Sequence, residues 1–196
     1  MTVGALAWGG RPTLYRAPTF PADPASVRLG QALAARVSEV TRLTASAAIA
    51  AGLIELTSPR FAKQINDVHT LTSRAIARFL ITGQGTTEAE RNFISKVGIF
   101  AARYGLSLAV LSRSYGVWRD ANLRVVNEEI KRLAIGQAVS GVARKIIRSS
   151  AESGLRRMTR AYEYQVRLSG PPLVGRCQDR RNRYQDRAGE VSEVRD

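Results

Sequence analysis

Cysteine is almost missing from this chain of 196 residues, with Cys177 alone. One thiol closes no intramolecular disulfide and assembles no cysteine-based metal site, which suits a reducing compartment. Histidine is equally scarce, His69 being the single example. Neither a Ser–His–Asp arrangement nor a zinc site finds support in that inventory. Long apolar runs are lacking too. The longest, residues 43–56, is interrupted by Thr44, Ser46 and Glu55 and falls short of the roughly 20 residues a spanning helix needs. The first ten residues have neither the basic lead nor the apolar run of a signal peptide. These scarcities lead us to expect a cytoplasmic, non-catalytic protein with no membrane span and with no metal or other cofactor.

Aromatic residues make up 7% of the chain, while alanine gathers in runs such as Ala47-Ala48-Ile49-Ala50-Ala51. Alanine loses no side-chain entropy in a helix and suits strands poorly, so the composition leans helical. Acidic residues are few: 16 against 30 basic ones, a formal charge of +14. Five of those fourteen charges lie in 137–168, where Arg144, Lys145, Arg148, Arg156, Arg157, Arg160 and Arg167 face only Glu152 and Glu163. Such a segment is either a solvated helix face or a patch that meets phosphates or an acidic partner.

Periodicity divides the chain into three parts. Residues 1–24 hold Gly9-Gly10 and Pro12, Pro18, Pro21 and Pro24, a density that predicts an extended or disordered lead. Residues 25–168 predict a bundle of about five helices. The first, over 25–56, carries a seam of Leu33, Val37, Val40, Thr44, Ala47, Ala51 and Ile54 at alternating spacings of three and four. Ser58-Pro59 opens the second, whose apolar face runs from Phe61 to Phe79 and which ends at Gly83-Gln84-Gly85. Thr87 and Glu90 form a capping-box pattern before the third, with Phe93, Ile94, Val97 and Phe100 inward. The fourth starts at Ser107 and aligns Leu108, Leu111, Tyr115, Trp118, Asn122, Val126, Glu129 and Leu133. The last, 137–168, has two stripes: Val139, Val142 and Ile146, then Ile147, Ala151, Leu155, Met158, Tyr162 and Val166. The rotation between them predicts that the second half projects from the body and serves as a dimer or transmitter helix. Residues 169–196, led by Gly170-Pro171-Pro172, predict a disordered tail.

Few residues invite a chemical role. His69 lies about 60° from the centre of its helix's apolar stripe at 100° per residue, and reads as a packing residue more than a heme ligand. Gly83-Gln84-Gly85 lacks the Lys-Ser/Thr of a phosphate loop. Tyr115, Trp118 and Asn122 share one face, and Asn122 and Glu129 set polar groups in an apolar seam. Each needs a hydrogen bond, so the trio is a candidate ligand or interface site.

Four blocks have a recognisable rhythm: Ala75-Ile76-Ala77-Arg78-Phe79-Leu80, then residues 83–87, then Ala101-Ala102-Arg103-Tyr104-Gly105-Leu106-Ser107-Leu108, then Ser114-Tyr115-Gly116-Val117-Trp118-Arg119-Asp120. Together they resemble the non-heme, globin-like sensory domain at the N-terminus of RsbT co-antagonist (stressosome) proteins. Related domains precede the output parts of PucR-type regulators and some diguanylate cyclases. The resemblance spans roughly 32–168 and implies a homodimeric helical sensor that signals through its last helix to an output partner. No output domain is legible after residue 168. The alternative is a nucleic-acid-binding protein using the basic segment from Arg144 to Arg167, against which stands the lack of a clear helix-turn-helix.

Overall fold

The computed structural model describes residues 23–169. The expected lead up to residue 22, Cys177 and the expected tail from residue 170 lie outside the described residues. The described part is all-α: α1 (Pro24–Ala35), α2 (Val37–Ala50), a 3-10 turn (Ile54–Thr57), α3 (Pro59–Thr82), α4 (Glu88–Arg103), α5 (Leu108–Arg132) and α6 (Gln137–Ser169). No described helix is long and apolar enough to cross a membrane.

Six helices form where about five were expected, because the first is two. At Arg36 the backbone leaves helical geometry (φ −103°, ψ 11°), although the sequence there holds neither glycine nor proline. The Arg36 guanidinium reaches Glu39 (2.7 Å), Glu128 (2.7 Å) and Glu129 (2.9 Å), so contacts across the fold compensate the break. Leu33, Val37, Val40 and Thr44 are buried as the seam predicts, but Ala48 and Leu53 then replace Ala47 and Ile54 in the core. Ile54 is left 73% exposed. The boundaries also move by a residue: Pro24, assigned to the lead, is the first residue of α1, and Ser169, assigned to the tail, is the last of α6.

Local signals set the other ends. Asp23 caps α1 by accepting from the Ala25 N–H at 2.9 Å. Gly83 closes α3 in the left-handed region (φ 73°), donating its N–H to the Phe79 carbonyl at 2.8 Å. Thr87 and Glu90 make the full capping box: the hydroxyl accepts from Glu90 N–H (3.2 Å) and the carboxylate from Thr87 N–H (2.7 Å). Ser107 accepts from Val110 N–H at 3.2 Å. Ser58 sits at the start of α3 but its side chain makes no capping bond.

The second half of α6 does not project. Its most extensive contact is with α4, and α5 also runs against it. A Cβ on Gly98 of α4 would lie 2.3 Å from the Met158 carbonyl oxygen, so the two helix backbones touch. Ile147, Ala151 and Met158 are buried within the chain, while Leu155, Tyr162 and Val166 are half-buried. The stripe expected to serve as a free dimer or transmitter seam is therefore largely used within the chain. Small residues let α6 approach closely enough to bury that stripe, which a count of apolar positions on α6 alone does not reveal.

Candidate functional site

The bundle buries a polar and aromatic cluster where α3 meets α5. Trp118 is fully enclosed, and its indole N–H donates both to the His69 carbonyl (3.1 Å) and to Ser73 Oγ (3.1 Å). Asn122 anchors to its own helix by donating Nδ2–H to the Trp118 carbonyl (2.9 Å), and its Oδ1 lies 3.3 Å from the Ser73 hydroxyl, which donates to it. Tyr115, Trp118 and Asn122 are thus brought together as their spacing implied, and all three are buried. Tyr115 packs edge-on to Trp118 at 6.0 Å between ring centres.

His69 stands at the centre of this cluster rather than at its margin. Its ring lies nearly parallel to Trp118 (5.9 Å, 21°) and edge-on to Tyr115 (5.6 Å, 89°). The estimate of 60° took α3 as having one buried face. In fact α5 lays Ser114, Tyr115 and Trp118 over His69, so a residue flanking the main stripe of α3 is enclosed too. Burial without a counter-charge disfavours the imidazolium and lowers the His69 pKa to about 3. Nε2 lies 3.4 Å from Ser114 Oγ, and Nδ1 has no hydrogen-bond partner. The Tyr115 hydroxyl is also buried without a partner, and burial raises its pKa.

The Ser114–His69 pair is poorly arranged for nucleophilic catalysis. A general base must hold a proton near working pH, and this imidazole resists protonation until far lower. Nδ1, where a triad carries its orienting carboxylate, faces no acceptor among the described residues.

A cavity of about 250 Å³ reaches the cluster from the α2 side. Ala45, Ala48, Leu56 and Ile65 supply apolar wall, and His69 and Ser114, both buried, lie at its inner end. On the other side, Tyr115 touches α6: a Cβ on Gly154 would lie 2.8 Å from the Tyr115 ring and 2.9 Å from its hydroxyl. Ser73, Ser114, Gly98 and Gly154 were not among the residues expected to matter. Serines carry no positional signal, but a glycine inside a helix costs about 1 kcal/mol relative to alanine, and that cost marks a close approach.

The basic residues of α6 are not one cluster. Lys145, Arg148, Arg156 and Arg160 are exposed, whereas Arg144 donates to Asn127 Oδ1 (2.9 Å) and Arg157 is half-buried. Burial first, and then the neighbouring Arg91 and Arg160, hold the Arg157 guanidinium below its usual pKa. Among the described residues no group of three His, Cys, Asp or Glu side chains is placed to hold a metal ion. A scan against protein-family models and searches of curated proteins and of solved structures each find no match to the chain.

Proposed function

We propose that the chain is a non-catalytic sensory and regulatory module, globin-like in plan and similar to the sensory domain of RsbT co-antagonist proteins. It works as a homodimer and passes its state to a protein partner that supplies the output. One observation carries this reading. The cavity ends at His69, His69 packs on Tyr115, and Tyr115 packs on Gly154 of α6, so the cavity and the longest helix share a continuous line of contacts. The Tyr115 hydroxyl and His69 Nδ1 are unpaired along that line, so two buried polar groups there lack the hydrogen bonds that would hold the side chains in one arrangement.

The dimer contact in this reading lies on the distal part of α6, in place of the buried stripe. Arg157, Ala161, Tyr164 and Leu168 follow at spacings of four, three and four, and Tyr164 and Leu168 are exposed. Light scattering on the full chain across the micromolar range tests it. A dimer that Tyr164→Lys or Leu168→Lys weakens is the expected result, and a monomeric mass throughout overturns the homodimer. The second reading, nucleic-acid binding, is favoured by Lys145, Arg148, Arg156 and Arg160, which lie exposed along about 22 Å of α6. Glu152 and Glu163, also exposed on α6, count against it. Retardation of nucleic acid at sub-micromolar protein, lost at high salt, would replace the sensory reading with this one.

A further inference from the structure

We propose that the cavity between α2, the 3-10 turn, α3 and α5 takes a small uncharged amphiphile of the alcohol or phenol class, its hydroxyl against His69 and Ser114 and its apolar body against Ala45, Ala48, Leu56 and Ile65. This rests on the sensory reading and names the ligand class that reading lacks. Size sets the first limit. About 250 Å³ is roughly eight water molecules' worth of space at ~30 Å³ each, enough for a six-carbon alcohol or a single substituted ring and far too little for a macrocycle.

Charge sets the second limit. None of the cavity's lining side chains is an acid, a lysine or an arginine. A carboxylate or ammonium at the inner end would lose its hydration with no counter-ion in reach. The neutral imidazole offers no compensating charge, because burial holds it unprotonated until far below neutral pH. The inner end, however, is not apolar. His69 and Ser114 both line it, and the contact between Ser114 Oγ and His69 Nε2 is a long 3.4 Å. A hydroxyl both donates and accepts, so it matches either imidazole tautomer and can pair with Ser114 as well. A pure hydrocarbon would leave those groups unsatisfied.

The single histidine makes the test direct, since His69 gives the chain's one imidazole signal in a proton NMR spectrum. The full chain is titrated with hexan-1-ol and phenol, and in parallel with hexanoate and benzene. Saturable movement of the His69 signal by the two alcohols, with little or none by the other two, is the expected result. Ala45→Leu fills the cavity mouth, removes no hydrogen bond and keeps the reporter, so it should abolish the response. No saturable response to either alcohol overturns the proposal. So does an equal response to hexanoate or benzene, or an undiminished one in Ala45→Leu. Loss of the alcohol response while the protein remains dimeric faults the ligand class alone, whereas alcohol binding by a strict monomer faults the dimeric mode of action and leaves the ligand class standing.

Discussion

Replacing Gly98 with alanine tests the α4–α6 contact that keeps the last helix on the body. The added Cβ would sit 2.3 Å from the Met158 carbonyl oxygen and 3.1 Å from the Met158 Cα and carbonyl carbon. The first distance is about 1 Å inside ordinary contact, and the obstacle is backbone, which has no rotamer to change. Either the helices part or α6 shifts along its axis, and overpacking of this kind costs about 1–3 kcal/mol. Alanine returns about 1 kcal/mol of helix propensity over glycine. The balance is a loss of about 0–2 kcal/mol and a fall in Tm of up to about 8 °C for a chain this long. Gly141→Ala on the same helix α6 is the control, because a Cβ there meets nothing within 4 Å. It should gain about 0.5–1 kcal/mol and raise Tm by a few degrees. Thermal unfolding followed by circular dichroism reads both. If Gly98→Ala is as stabilising as Gly141→Ala, the close approach of α4 to α6 is refuted.

Three further outcomes follow from buried charge and backbone strain. His69 has a folded pKa near 3 against an ordinary 6.5, so the unfolded chain binds the extra proton between those values. Stability is therefore full above about pH 7 and falls by about 2 kcal/mol on going down to pH 5, a loss that urea titrations should find absent in His69→Gln. Glu129 is 5% exposed and accepts from Arg132 (2.6 Å) and Arg36 (2.9 Å), so Glu129→Gln should cost about 1–3 kcal/mol at pH 7. Arg132 holds the Glu129 carboxyl below its ordinary value, and Arg36 does the same for Glu39 and Glu128. Their contribution is present above about pH 4.5 and lost as pH falls through the lower folded values, so the variant should show a shallower acid slope in the same titration. Ala134 joins α5 to α6 with φ at 49°, a region that costs a side chain about 1 kcal/mol, and Ala134→Gly should raise the urea midpoint accordingly.

What was legible in the sequence was what neighbouring residues decide. Thr87 with Glu90, Ser107, and the Gly83 reversal are local bargains between a side chain and the nearest backbone, and each forms where the spacing put it. The alignment of Tyr115, Trp118 and Asn122 was equally visible, because one helix sets it. Arg36 was not legible as a break: the carboxylates that compensate it, Glu128 and Glu129, come from more than 90 residues away. Nor was the fate of α6. Of its two stripes, the second supplies the buried Ile147, Ala151 and Met158, whereas Val139, Val142 and Ile146 are only half-buried and Ser140 and Ala143 take the core in their place. Which face is covered depends on Gly98 and Gly154, where missing side chains make room for a neighbour. His69 was legible as a packing residue at the edge of its stripe but not as the centre of a cluster, for the same kind of reason, since burial there is decided by α5 arriving over α3.

Hydrogen exchange on the full chain, comparing the wild type with Ala45→Leu, asks whether a filled cavity is felt on α6. No residue of α6 lines the cavity, so any change there must travel through the intervening packing, in which His69 and Tyr115 form a direct line to Gly154. The account predicts altered protection across residues 150–158 together with 112–118. Changes confined to α2, the 3-10 turn and the first turns of α3 would contradict it.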